Sequence, residues 1–500
     1  MSTGTHIIPL FAALPLMGAF LIPFFKKTKH IPEIIGNIAA GSLCVLSVAA
    51  VFLVNTSGIM VYSVGAWQPP IGIALVLDGL SSFMLVTVNL VAFLIALYAI
   101  QYMRKFTAQW KFYTLLLLMI AGMNGVVITG DIFNLFVFLE IASVASYALV
   151  AFGTEKHELE AAFKYAVMST VGSLFILIGI VFLYSHTSTL NMADIGTFIA
   201  SEKHCTIGLL VSALFIMGFG LKAALVPFHA WLPDAHPSAP APISAMLSGV
   251  LIKSLGVYSL FRILFNVIGM NTRLSEIILV LGALSMVIGV FLAIGQWDFK
   301  RLLAYHSISQ IGYVVLGIGL GTPLGIAGGL FHLLNHSLFK SLLFLNSGAV
   351  EYASNTRDLR EMGGFRTKMP VTASTGFVAS MSIAGIPPFN GFWSKLMIII
   401  AAVQAGRNWY AFWAVLASIL TLASFMKVMK YAFAGSLKDR WKNLTEVPFF
   451  MKISMILLAL LCIFGGLVLL DGPRQIFLDN AAQVLAAGSA HAFEVLKSVP

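Results

Sequence analysis

The chain has 500 residues, of which 59% are hydrophobic and only 10% charged, and its mean hydropathy is +0.94; soluble domains carry roughly 25% charged residues, so an ordinary cytosolic protein is excluded. The formal net charge of +10 has no basic domain to gather it, which excludes a nucleic-acid binder and leaves charged loops between membrane spans as its origin. At roughly 20 to 25 residues per span and about ten per connection, the length fits about fourteen spans and leaves no room for a soluble domain of ~100 residues.

Apolar runs separated by polar or Pro/Gly-rich breaks predict, in chain order, segments 1 to 14 at 5–24, 33–54, 74–100, 112–130, 132–152, 164–185, 207–228, 243–267, 275–295, 305–321, 325–348, 370–402, 409–434 and 448–470. The expected fold class is an all-α polytopic membrane protein with about 14 transmembrane helices. Counted over alternate connections from the first, 17 basic residues between Lys26 and Lys442 fall on one side, against Lys203, Arg273 and Arg407 on the other. The positive-inside rule makes the richer side cytoplasmic and predicts both termini outside. Lys26, Lys27 and Lys29 follow the first apolar run instead of preceding it, so segment 1 is expected to be retained and not cleaved as a signal peptide. Past Leu470, the stretch from Arg474 to Lys497 alternates loosely and reads as a short interfacial helix. Cys44, Cys205 and Cys462 stand singly, with no CxxC pair, so neither a thiolate-held redox centre nor any other cofactor is expected in this chain.

Within the segments stand Glu140, Lys222, Lys253, Lys340, Lys395 and Lys427, joined by the titratable His332 and His336. At ~2.5 to 3.5 kcal/mol per central charge, the six ions would cost on the order of 15 to 20 kcal/mol in lipid, so they must face one another, a buried polar path or water. A snorkelling or structurally paired lysine explains any one of them, Lys340 and Lys427 best because they lie nearest to segment ends, but not the whole set. Glu140 is the one carboxylate well inside a segment, since Asp131 stands at the preceding turn and Asp78 at the start of segment 3. A carboxylate beside a lysine at low dielectric keeps both charged, and drawing the two apart lets a lysine release its proton, so such a pair is a switchable proton carrier.

His332, His336 and Lys340 are spaced i, i+4, i+8 in FHLLNHSLFKSLLF. They form one polar stripe on an otherwise apolar helix, along which neutral imidazoles can pass protons. No carboxylate or cysteine is close enough in sequence to complete a metal site, and two histidines one turn apart cannot take opposite faces of a haem iron; no metal is expected.

Segment 7 continues as FGLKAALVPFHAWLPDAHPSAPAP, with Lys222 ahead of Pro227, His229 and Pro233, and segment 12 contains SIAGIPPFNGFWSKLM, with Pro387 and Pro388 ahead of Lys395. Proline removes a donor and frees carbonyls that a membrane tolerates only where they line protein or water. A packing kink would explain either break alone, whereas broken helices beside charges mark transporters. Lys222 and Lys395 are five segments apart, as are Lys253 and Lys427. Because five is odd, the second copy must sit upside down, which predicts two inverted five-helix repeats, segments 4–8 and 9–13. The chain then divides into a three-span segment 1–111, a first repeat 112–267, a second repeat 275–434 and a last span with its tail 435–500. PFHAW and PFNGFW at the two breaks agree with this. Glu140 has no charged counterpart in segment 10, where His306 and Gln310 come nearest, so the halves are not equivalent.

TGDIFNLFVFLEIASVASYAL, KAALVPFHAWLPDAHPSAPAP, SGVLIKSLGVYSLFRI, HLLNHSLFKSLLF and IPPFNGFWSK together resemble, in order and over nearly the whole chain, the antiporter-like membrane subunits shared by respiratory complex I, energy-converting membrane-bound hydrogenases and Mrp-type sodium/proton antiporters. The resemblance implies that Glu140 and Lys222 are a modulating pair, Lys253 the central relay, His332 and His336 its extension, and Lys395 the exit group. Lys340, Lys427, His229 and His306 are secondary candidates.

It further implies a proton-translocating subunit of a prokaryotic cell membrane, lacking a redox centre of its own. Such a subunit works among other membrane subunits and a peripheral redox arm, in a complex of the complex I and membrane-bound hydrogenase type. The alternative is the D subunit of an Mrp antiporter, with sodium as a second ion; the motif around Glu140 looks like that protein and its counterpart in membrane-bound hydrogenases, and the run from HPSAPAP through LIKSLGVY more like the redox-linked complexes. About 30 residues after segment 14 cannot supply the long lateral helix of the largest complex I antiporter-like subunit. A stand-alone solute carrier and an inactive scaffold share the broken helices, but a line of histidines and lysines with one carboxylate suits protons better.

Overall fold

The computed structural model describes residues 4–202 and 207–499, so Lys203 and Cys205 lie outside the described residues. Among the described residues eleven helices are long and apolar enough to cross a membrane, from Thr5–Phe25 to Phe449–Leu469, and they coincide with eleven of the expected segments. The other three, 7, 11 and 12, are helical but too short or too polar to count with them. Segment 7 is the 15-residue helix Gly208–Lys222, which stops at its break. Segment 12 is divided into Pro370–Ala384 and Asn390–Gln404, 15 residues each. Segment 11 lies in Pro323–Ser354, long enough at 32 residues but carrying His332, Asn335, His336 and Lys340.

Segments 8 and 10, Ala241–Ile268 and Phe299–Gly319, are almost wholly buried and form the centre of the bundle with segment 11, while segments 2 and 14 are mostly exposed on the bundle surface and stand at the rim. Between apolar helices no hydrophobic force discriminates partners, so small residues set the close approaches. A methyl on Gly282 of segment 9 would stand 2.8 Å from the Leu316 nitrogen of segment 10, and one on Gly218 of segment 7 would stand 2.8 Å from the Gly172 carbonyl of segment 6. Helix starts are fixed by side-chain caps: Asp78, Asp131, Asn271, Asp298 and Thr322 each accept from a first-turn N–H.

Several expectations need correction. Segment 3 does not begin at 74: Ala74–Leu77 is a β-strand antiparallel to Met60–Ser63, with Met60 opposite Leu77, and the helix Gly79–Tyr102 starts behind a capping box of Asp78 and Ser81. The short run ALVL is apolar and contiguous with the helix, and so short a run has no period that separates strand from helix. An extra amphipathic helix, Met192–Ser201, precedes segment 7. The tail does not lie apart as one interfacial helix. Asn480–Ala486 packs on segment 3 and Ala490–Lys497 on Met192–Ser201, burying Ala481, Leu485 and His491. Finally Lys300, expected in a connection, is buried against Glu351 at 2.8 Å.

The two sets of connections gather at opposite ends of the bundle. At one end Met192 N–H donates to Gly130 O at 2.8 Å, and His491 of the tail reaches Asp78 at 2.9 Å, beside the bond from Arg262 to the same carboxylate. At the other, Phe299 N–H donates to Arg357 O at 3.0 Å and Gly364 N–H to Ala434 O at 2.9 Å.

Candidate functional site

The first break begins where Gly208–Lys222 ends. Ala224 takes a left-handed turn at φ 56°, and the chain resumes as a helix at Leu232–Ser238. The opened backbone is resealed locally: Val226 N–H donates to Ser285 Oγ at 2.9 Å, and Trp231 Nε1 to Leu221 O at 3.0 Å. Lys222, the last helical residue, is buried and donates to Ser169 Oγ at 2.6 Å and Ser143 Oγ at 3.0 Å. Glu140 Oε1 lies 3.5 Å from its Nζ and accepts from Ser173 Oγ. The pair faces two ways: the Lys222 side chain is 3% exposed and that of Glu140 32%, on the outer wall of segments 5 and 6.

Lys253 sits at the centre in a different backbone. Segment 8 is a π-helix from Leu247 to Tyr258, whose wider turns slacken the carbonyl ladder. The fully buried Lys253 curls back to donate to Ser248 O and, at 2.7 Å, to Gly249 O. Ser248 Oγ meets Ser307 Oγ of segment 10 at 2.7 Å. Lys340 is equally buried and donates to Leu303 O; it stands in the core and not at a segment end, so the structural reading that suited it in sequence does not describe its place.

The segment 11 histidines lead away from this centre. The His332 and His336 rings lie nearly parallel, 6.3 Å apart at 12°, and the cations whose fields reach His336 are Lys253, Lys340 and Lys395. His332 Nδ1 is 2.9 Å from Ser394 Oγ, one residue before Lys395. The second break turns at Gly385, φ 81°, and frees the Ile383 carbonyl, which accepts from the buried Lys395 at 2.8 Å. The Lys395 ammonium also lies 4.7 Å from the centre of the Tyr313 ring. His306 Nε2 pairs with Ser424 Oγ at 2.8 Å. Among the described residues, Lys253, Lys340 and Lys395 make no ion pair, and no three His, Cys, Asp or Glu side chains converge as a metal site would need.

Five of the six primary candidates, Lys222, Lys253, His336, His332 and Lys395, are buried along one run, and the part-exposed Glu140 stands at its outer end beside Lys222. Between Lys222 and Lys253 no side-chain hydrogen bond is made among the described residues. Buried polar atoms without a protein partner punctuate the run: Gln310, both nitrogens of His336, His332 Nε2 and His306 Nδ1. A polar atom buried in this way is one that an ordered water can satisfy. Two secondary candidates stand apart. Lys427 donates to Ile294 O and Gln296 O, both at 2.6 Å, and so closes the end of helix Thr272–Ile294. His229 is half-buried in the linker of the first break.

Sequence reasoning missed the hydroxyls that hold the ions. Ser169 and Ser173 are spaced i, i+4 and therefore share a face of segment 6, a signal that was available; Ser143, Tyr313 and Ser394 carried none that separates them from ordinary small or aromatic residues of membrane helices.

A family model described as "NADH:quinone oxidoreductase/Mrp antiporter, TM" matches residues 129–421, and one described as "NADH-Ubiquinone oxidoreductase (complex I), chain 5 N-terminus" matches residues 68–113. The chain is 34% identical over 470 residues to the D subunit of the Na(+)/H(+) antiporter of Alkalihalophilus pseudofirmus, covering 94% of each chain. It is 37% identical over 441 residues to the N subunit of the NADH-quinone oxidoreductase of Desulforudis audaxviator, covering 86% of each. Among solved structures it matches a chain of the Mrp complex from Dietzia sp. DQ12-45-1b with a TM-score of 0.91 and 28% identity over the whole of both chains. It matches a chain of the membrane-bound sulfane sulfur reductase, an archaeal respiratory membrane complex, with a TM-score of 0.89 and 30% identity over 99% of this chain and 100% of that one. This chain belongs to the NADH:quinone oxidoreductase/Mrp antiporter family and is one of its antiporter-like integral membrane subunits.

Proposed function

We propose that this chain carries protons across a prokaryotic cell membrane along Glu140, Lys222, Lys253, His336, His332 and Lys395, as one subunit of a multi-subunit complex whose motor lies elsewhere. The observation that carries the reading is the setting of Lys253: fully buried, without a carboxylate, and donating to two carbonyls of its own helix. An amine has two N–H donors and an ammonium three. Lys253 therefore keeps both bonds whether or not it holds the extra proton, and can receive and pass one without rebuilding its site. The Glu140–Lys222 pair at one end supplies the charge that such a transfer answers to.

We further read the chain as fourteen crossings with two inverted repeats, segments 4–8 and 9–13, bounded at 112–267 and 275–434, and with 1–111 and 435–500 flanking them. The placement of both breaks five segments apart supports this, and the count of 17 basic residues against 3 supports both termini outside. A carboxylate that is 32% exposed in the middle of segment 5 would be costly against lipid, so the wall of segments 5 and 6 is read as the face that a neighbouring membrane protein of the complex covers.

The leading reading is a redox-driven complex of the complex I or membrane-bound hydrogenase type, in which other subunits hold the redox centres and this chain holds no cofactor. The likeness to the NADH-quinone oxidoreductase relative and to the respiratory reductase complex supports it. The second reading, the D subunit of an Mrp antiporter exchanging sodium for protons, is favoured by the longer alignment and the higher TM-score. Inverted vesicles separate them. Proton uptake that depends on reduced ferredoxin, hydrogen evolution or NADH is expected under the first, and sodium-dependent exchange without an electron donor under the second.

A further inference from the structure

Four connections that the charge count assigns to the inner side, 153–163, 229–242, 296–304 and 349–369, contribute to the walls of an open cavity of about 340 Å³. Its walls carry Glu160, Lys164, Asp234, Asp298, Arg301 and Arg357. These charges pair across the space: Lys164 with Asp234 at 3.4 Å, Arg301 with Asp234 at 3.3 Å and Arg357 with Asp298 at 3.3 Å. With its acids and bases matched, the cavity holds no surplus charge for an ionic ligand, and its size and polarity suit water.

The floor of the cavity is the short helix Leu232–Ser238. Asp234, Pro237 and Ser238 line the cavity, whereas His236, two residues from Asp234 and so on the opposite side of the helix, points into the core. His236 is fully buried, and neither ring nitrogen has a hydrogen-bond partner among the described residues. The ring stacks on Phe344 with centroids 4.6 Å apart, and the Lys340 ammonium lies 5.5 Å from the centre of that same phenyl ring. The charged groups whose fields reach His236 are Lys340, Lys300 and Lys253.

The helix is clamped at its C-terminal carbonyls: Arg357 donates to Pro237 O and Lys300 to Ala239 O at 3.1 Å, and both cations pair with Glu351. A buried polar atom left without a partner costs about 1 to 3 kcal/mol. An imidazole used only for packing against Phe344 would incur that cost at both nitrogens, where a phenyl ring would incur none.

We propose that His236 is the proton-transfer group that joins the inner cavity to the Lys340–Lys253 centre, with water completing its two nitrogens. A proton from cavity-side water binds the bare ring nitrogen while the proton on the other nitrogen leaves toward Lys340 in its neutral amine form, so one N–H bond forms as another breaks; the ring is left as the opposite neutral tautomer, and a ring flip resets it for the next transfer. This rests on the proposed proton route and names its entrance.

The test uses the whole complex in inverted vesicles. His236→Phe keeps the stack on Phe344 and removes the carrier, and it is expected to lower proton translocation roughly tenfold or more while the complex assembles. His236→Ala is expected to fall equally and to recover in part when imidazole is added, which a purely structural role would not produce. In a background with Cys44, Cys205 and Cys462 replaced by Ser, His236→Cys is expected to react with a small charged methanethiosulfonate presented from the inner face and not from the outer. Wild-type translocation in His236→Phe, alongside none in Lys253→Ala, would overturn the entrance and leave the route standing; normal translocation in both would overturn the route itself. Should the Phe and Ala variants fail to assemble, the labelling decides, and absence of labelling from the inner face overturns the proposal.

Discussion

The two broken helices present the same parts, a lysine and a proline break, in two different electrostatic settings. At the first, Lys222 ends its half-helix and meets a carboxylate and two hydroxyls, 3.5 Å from Glu140 and 2.6 Å from Ser169. At the second, Lys395 begins beyond the break and meets only dipoles: the Ile383 carbonyl that the break frees and the face of Tyr313. Breaking a helix therefore does two jobs in this chain. In segment 7 it ends a helix at a lysine that already has a counter-ion; in segment 12 it supplies the acceptor to a lysine that has none. An ion pair resists the loss of either charge, whereas an amine on a neutral carbonyl can be protonated or not with the same bond in place. On the proposed route, the first break would hold a charge and the second would let one go.

Removing the difference is the sharpest way to test it. Glu140→Gln turns the first break into a copy of the second, a buried lysine on neutral partners, and is expected to abolish translocation while the complex still assembles, as read by donor-driven proton uptake and native gel. If the mutant complex pumps normally, the carboxylate is not what separates the two breaks. Lys395→Met should act less completely, lowering translocation by roughly tenfold, because His332 and Ser394 still reach the same place and water can substitute for one carrier in a chain. The smallest effect is expected at Lys427, which has a segment 13 position matching that of Lys253 in segment 8 but closes a helix end. Lys427→Met should leave translocation unchanged and lower stability by about 1 kcal/mol, seen as a modest fall in the melting temperature of the detergent-solubilised complex.

Much of this was legible in sequence because charge in an apolar segment is expensive and therefore conspicuous. Glu140, Lys222, Lys253, His332, His336 and Lys395 stood out for that reason; five of them are buried, and Glu140 stands part-exposed 3.5 Å from Lys222. What stayed hidden was set by backbone and by facing, neither of which composition records. Nothing in SGVLIKSLGVYSLFRI marks a π-helix, so the acceptors of Lys253 could not be named. Segment 5 is apolar on all sides, so its sequence could not say that Glu140 faces outward. His236 lay in a proline-rich stretch that reads as a connection, and only the packing of Leu232–Ser238 beneath the cavity turns it inward. Arg262, which the sequence did not single out, pairs in the core with Asp78, which His491 also reaches from the tail.

The central claim is that Lys253 passes protons from a site that does not change when it does so. Its direct test is proton translocation by the assembled complex carrying Lys253→Ala, measured in inverted vesicles with the native driving force. The account predicts a complex of normal composition that moves no protons. Translocation at the wild-type rate would contradict it.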